Sequence, residues 1–262
     1  MSYTPTNDFL IEVNKGNVAG HSIIHKFGRN TAIPTAFTPV CLGGVYQTPQ
    51  PASATTLRIK AGGNAADTAA GAGAREITLV GLDETGAEVT EAVATAGASA
   101  SAVTTATFMR LFRAFVSASG TYTTLLVASP SHVGDIVIEN GAGGTDWATI
   151  DSTTLPNAQS EIGIYSLATG FTAQIMSVAV FSDSSKVTVA RLFRRESILD
   201  AAAPFQAMRT LANLRIESGA GGLKPMSPIN MIIGPADIGV VAKVDAATAE
   251  VDVDFEILVI AN

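Results

Sequence analysis

Apolar and polar residues alternate along this chain in short runs cut by clusters of Gly, Asp, Asn and Ser. Residues 75–81 read as a strand, Asp83-Glu84-Thr85-Gly86 as a turn, and 88–95 as the returning strand. The pattern recurs at 171–182, turns at Asp183-Ser184-Ser185, and returns at 186–196. It appears again at 238–244, 245–248 and 250–260. Period-two alternation bounded by turn residues predicts antiparallel hairpins.

Three regions follow from this punctuation. Residues 1–53 carry Pro5, Pro34, Pro39, Pro49 and Pro51 among several glycines. They are expected to form an extended arm and loops lying on another surface, with a short strand at 9–13. Residues 54–154 read as a first β domain. Its strands are expected at 56–61, 75–81, 88–95, 108–118, 121–128, 133–139 and 147–150, with loops at 62–74 and 140–144. The run at 108–118 also fits a helix face through Met109, Phe112 and Val116, but its Val and Phe content favours a strand. Residues 155–262 read as a second β domain, with strands at 162–167, 171–182, 186–196, 207–217, 229–233, 238–244 and 250–260. Strands at this spacing suggest a sandwich or jelly roll. The segment 196–203 is the best helix or loop candidate. In the last strand Val251, Val253, Phe255, Ile257 and Val259 point one way and Asp252, Asp254 and Glu256 the other, a half-buried strand with an acidic outer face. The expected fold class is therefore all-β, antiparallel sandwich or jelly-roll domains with an extended N-terminal arm.

Composition sharpens the picture. Of 262 residues, 47% are hydrophobic and only 15% charged, against about 25% charged for ordinary soluble domains. A surface so poor in charge implies that partners cover much of it. Ala, Thr, Ser, Gly and Val dominate, which suits packed sheets and flat subunit contacts. The net charge of −7 argues against sequence-independent nucleic-acid binding and against attraction to anionic lipid. No apolar run is long enough for a transmembrane helix, and the N-terminal residues do not read as a signal peptide. A single cysteine, Cys41, leaves no internal disulfide framework, as expected for a protein made in a reducing cytoplasm.

Candidate chemistry is sparse. His21 and His25 stand four apart, a helical spacing that could offer two imidazoles to a metal. Their glycine-flanked context favours instead a docked segment whose histidines bond to backbone. Asp252, Asp254 and Glu256 would sit nearly 7 Å apart along a strand, too wide for one compact calcium site. No Gly-x-Ser-x-Gly elbow or Walker loop is present. Cys41 lacks an evident histidine partner, and Asp83 and Glu84 fall in a turn that favours Asp for its geometry. No enzyme activity and no cofactor are expected. Arg191, Arg194 and Arg195 beside Phe193, and Arg110 with Arg113, form two basic groups in an acidic chain. They read either as contacts to an acidic partner subunit, where Arg is over-represented, or as ordinary exposed strand charges.

Several segments together resemble virion structural proteins of tailed bacteriophages. They are Gly20-His21-Ser22-Ile23-Ile24-His25-Lys26-Phe27-Gly28-Arg29-Asn30, the hairpin from Gly73 through Leu79, Asp83 and Gly86 to Val93, and Phe108-Met109-Arg110-Leu111-Phe112-Arg113. Gly170-Phe171-Thr172-Ala173, the strands up to Arg191-Leu192-Phe193, and the closing strand 251–260 complete the set, in order along nearly the whole chain. The resemblance implies a β-sandwich component of a capsid or tail, often a symmetric oligomer, and transfers no catalytic residues.

These readings converge on a capsid decoration (cement) protein that bridges capsomers, with a trimer as the natural symmetry. Its partners would be the major capsid protein or other virion proteins, and its location the capsid surface. His21, His25, Lys26, Phe27, Arg29, Arg110, Arg113, Arg191, Arg194 and Arg195 are the expected contact residues. An N-terminal arm over residues 1–30 would be the anchor, removable without loss of the sandwich. A tail or head-to-tail component is the alternative. A carbohydrate-binding module is a further one, resting on Trp147, the single tryptophan, if it is exposed.

Overall fold

The computed structural model describes residues 8–42, 54–120, 131–152, 158–183, 185–200, 206–217, 221–226 and 231–262. The chain opens with helix α1 (Phe9–Asn14), then β1 (His21–Ile33), β2 (Thr38–Pro39) and β3 (Leu57–Ile59). β4 (Ala74–Leu82), β5 (Glu88–Ala94), β6 (Arg110–Ser119), β7 (Ile136–Asn140) and β8 (Asp146–Ile150) follow. The last strands are β9 (Ile164–Leu167), β10 (Phe171–Ser182), β11 (Thr188–Glu196), β12 (Arg209–Ile216), β13 (Gly221–Pro225), β14 (Met231–Ile233), β15 (Ala236–Val244) and β16 (Ala249–Ala261). The fold is nearly all-β and antiparallel, as the alternation predicts. The strand expected at 121–128 and part of the segment 196–203 lie outside the described residues.

Two sheets face each other in the C-terminal part. The first runs β1-β16-β10, with β13 and β14 end to end on the far edge of β10. The second runs β12-β11-β15, with β2 and β9 sharing the far edge of β15. Val178, Val180, Val251, Val253, Phe255 and Ile257 from the first meet Ala190, Leu192, Leu214, Ile238, Val240 and Ala242 from the second in one core. Residues 54–152 contribute two three-stranded sheets, β3-β7-β8 and β5-β4-β6. Their core gathers Leu57, Ile77, Leu79, Leu111, Ile138, Trp147 and Ile150. The cores interpenetrate, because Leu82 and Phe112 join the first and Ile164, Phe193 and Val241 join the second.

The N-terminal region departs from expectation. Residues 9–13 are helical, not extended. Asp8 caps α1 by accepting from the backbone N–H groups of Leu10 and Ile11 at 2.9 and 3.3 Å. Residues 21–33, expected as irregular arm, form one of the longest strands. β1 pairs with β16 from His21 opposite Ile260 to Asn30 opposite Val251, then past a bulge to Ile33 opposite Ala249. Removing residues 1–30 would strip most of this strand from β16, so this segment is no detachable arm. Gly28 explains why it reads as broken. A Cβ on Gly28 would lie 2.2 Å from the backbone nitrogen of Gly163, so the glycine marks a close crossing of two chains inside a strand.

Candidate functional site

β1 is the outer strand of its sheet, and one of its edges faces away from β16. Arg29 donates its backbone N–H along that edge to the Glu161 carbonyl at 3.4 Å. Register is unbroken from His21 to Asn30, so Ile23, His25 and Phe27, sharing the parity of Arg29, turn their N–H groups the same way. No backbone partner meets these three among the described residues. The segment 158–160 leaves β1 here and joins β6 instead, through Gln159 bridged to Phe115 and the Ser160 N–H bonded to the Ala114 carbonyl at 2.7 Å. The two backbones fork, and the fork encloses a cavity of about 370 Å³ lined by Ile23, Ile24, His25, Lys26, Phe27, Arg113, Gln159 and Ser160.

Two cations stand at this cavity. Lys26 is buried at 7% exposure, and its Nζ donates to the Phe112 carbonyl at 2.5 Å and lies 5.8 Å from the Phe112 ring centre. Burial first, and then the Arg113 charge, push its amine down to about 7, with Cys41 opposing. Arg113 is exposed and sits over the Phe115 ring at 4.7 Å. Neither has a carboxylate at ion-pair distance among the described residues.

The remaining expected contact residues divide. His21 bonds to the Ala19 carbonyl at 2.9 Å and meets the Phe9 ring edge-on, while His25 lies 3.5 Å from Asp254. A strand spaces residues four apart by about 13 Å, so the two imidazoles cannot share a metal as a helix would let them. Arg29 is spent within the chain, reaching Glu250 at 3.3 Å, Glu161 at 3.8 Å and Asp151 at 3.9 Å. Beside it Asp252 is raised to about 6 by burial and by Glu250, against the pull of Arg29. The acidic face is thus partly buried at this end. Among the described residues no three His, Cys, Asp or Glu side chains gather as for a metal ion.

Arg110 corrects the sequence reading outright. It is fully buried against fully buried Asp237, with Nε 3.2 and 3.3 Å from the two carboxylate oxygens, and Ser166 donates to the same carboxylate at 2.7 Å. It ties β6 to β15 and offers nothing to a partner. A charge buried there must be paired to be tolerated, and Asp237 pairs it. Arg195 is likewise buried, its Nε bonded to the Gln206 carbonyl at 3.0 Å. Arg194 lies 3.6 Å from Glu196. Arg191 alone of that group is exposed, over the Phe37 ring at 4.1 Å. Trp147 is 1% exposed and belongs to the core, so the residue on which sugar stacking rested has no free face.

The structure also presents an apolar surface that sequence reasoning missed. Phe181, Leu223, Met231 and Ile233 stand 48%, 72%, 45% and 64% exposed. All lie on the outer face of the β1-β16-β10 sheet near its β13–β14 edge. A groove of about 370 Å³ between α1 and β10, lined by Phe9, Leu10, Ile175, Met176, Met226 and Leu258, continues that face. Strand 221–225, Gly-Gly-Leu-Lys-Pro, has too little alternation to be recognised; the exposed Leu223 beside glycines was the available signal.

No family model and no curated protein matches this chain. Among solved structures, a chain from the infectious bursal disease virus Gt strain aligns at 11% identity over 98% of this chain and 75% of its own, with a TM-score of 0.27. A chain from the Gx strain of that virus aligns at 10% identity over 92% and 76%, with a TM-score of 0.22. Likeness at this level leaves fold and function to be argued from the chain itself.

Proposed function

We propose that this chain is a structural subunit of a tailed-phage particle, a capsid decoration protein that stabilises the head by bridging capsomers. The observation that carries the reading is the exposed apolar face of Phe181, Leu223, Met231 and Ile233. Large apolar side chains left exposed along one edge of a sheet mark an interaction site on a monomer that otherwise would not tolerate them. The low charge of the chain, 15%, agrees with a body largely covered by neighbours. The occupant of the face is a second copy of the chain. One apolar patch docked against a different surface of the next copy closes into a ring, for which three copies are the expected number. The phage setting itself rests on the sequence resemblance. The same features serve a tail or head-to-tail component, which would use a different ring size.

Light scattering on the purified chain tests this. A stable trimer that falls to monomer in the Leu223→Asp, Ile233→Asp double variant is the expected result. A wild-type monomer refutes the face as a self-contact. A ring of five, six or twelve copies moves the assignment to the tail or its connector.

A further inference from the structure

The fork beside β1 is rich in donors and poor in anions. The N–H groups of His25 and Phe27 turn toward it without a backbone partner among the described residues. Ser160 Oγ accepts from the Ala114 N–H at 2.9 Å, which leaves its own proton to donate. Arg113 and Gln159 line the same space, and neither side chain has a hydrogen-bond partner among the described residues. Lys26 uses one of its three ammonium donors on the Phe112 carbonyl. Lys26 is taken from water while Arg113 stays exposed, the two repel each other, and a buried charge is ordinarily matched by an opposite one. Here no carboxylate stands at ion-pair distance from either cation among the described residues.

We propose that this fork receives a carboxylate presented by a protein partner, either an acidic side chain or a chain terminus. Arg113 and Lys26 supply the charge, and the N–H groups of His25 and Phe27 with the Ser160 hydroxyl supply oriented donors. A volume of about 370 Å³ is at the small end of ligand sites, room for a short peptide segment and not for a polymer. Ile23, Ile24 and Phe27 line the remainder and suit the apolar part of a peptide. A nucleic acid is disfavoured, because its row of phosphates would meet repulsion from an acidic chain over a long contact, where a single carboxylate meets it at one point. The net charge of −7 supplies that repulsion. This assignment does not depend on the particle in which the chain serves.

The test is a titration of the 15N-labelled full chain, reading the backbone amides of His25, Phe27 and Ser160. N-acetylglutamate α-methylamide represents a side chain, N-acetylalanine a chain terminus, and inorganic phosphate the competing anion. The expected result is a saturable shift of these amides with a carboxylate probe. The tighter probe names the source, and Arg113→Gln weakens it about tenfold, as loss of a charge-assisted bond requires. Arg113 is exposed, so this variant keeps the fold, and the dispersion of its spectrum verifies that. The proposal is overturned by no saturable shift, by equal affinity in Arg113→Gln, or by phosphate binding more tightly than either carboxylate.

Discussion

Replacing Lys26 by Met should stabilise the protein at neutral pH, although it removes a hydrogen bond. Lys26 is 7% exposed, its ammonium donates once to the Phe112 carbonyl, and it has no carboxylate partner at ion-pair distance among the described residues. Held at about 7 in place of 10.5 by burial, it costs the fold about 5 kcal/mol while charged. Losing the hydrogen bond returns about 1 kcal/mol of that. Substitutions of buried charges by hydrophobes of similar volume gain about 1–4 kcal/mol, and Lys26→Met should fall in that range at pH 6–7. The pH dependence gives the sharper test. Below about 7 the lysine is protonated in both folded and unfolded chains, and the cost is present in full. Between about 7 and 10.5 the unfolded chain binds the proton and the folded chain does not, so wild-type stability rises with pH. The advantage of Lys26→Met should therefore be largest below pH 7 and shrink toward pH 10. Urea unfolding of both proteins from pH 5.5 to 10 measures it. Parallel curves, or a variant less stable throughout, would refute the reasoning that an uncompensated ammonium sits in this wall.

Two further outcomes follow from buried charge elsewhere. Arg110→Met and Asp237→Asn should each lose about 3–5 kcal/mol in chemical denaturation, because each strands its fully buried partner, whereas Arg110→Met with Asp237→Leu should regain most of the loss. Asp252 is raised to about 6, chiefly by burial and then by Glu250, so the folded chain holds its proton more tightly than the unfolded chain and stability falls as pH rises from about 4 to 6. Asp252→Asn should then gain about 1 kcal/mol at pH 7, after discounting for solvent, and nothing near pH 3.5; a gain that persists at pH 3.5 would show that charge is not its source.

Where period-two alternation was unbroken, the sequence reading and the structure coincide. β10 spans the expected 171–182, the 83–86 turn joins β4 to β5, and β16 buries Val251, Val253, Phe255 and Ile257 while Asp252 and Asp254 face outward. The run at 108–118 is a strand, β6, as its Val and Phe content indicated. Reading failed where an inward position carries a residue that is ordinarily exposed or ordinarily breaks a strand. In β1 the inward positions are Lys26, Gly28 and Asn30, and a hydrophobicity pattern sees three interruptions. Each is interior for a tertiary reason. Lys26 reaches the Phe112 carbonyl, Gly28 admits Gly163, and Asn30 donates to the Pro39 carbonyl at 3.1 Å and accepts from the Ala32 N–H.

The same cause governs what could be known of the site. His25, Lys26, Phe27 and Arg113 were singled out from two distant segments, and the structure does bring them around one cavity. Arg113 was read from charge within an apolar run, a signal that pointed to Arg110 with equal force. Only partners separate the cases. Arg110 meets Asp237, some 127 positions away along the chain, and becomes a structural tie between β6 and β15. Arg113, three residues later on the same strand, has no carboxylate at ion-pair distance among the described residues. Alternation cannot encode that difference, because the deciding carboxylate lies on β15. A cation that the fold neutralises holds two units together, and a cation that the fold brings to a cavity and leaves without a counter-charge is available for recognition.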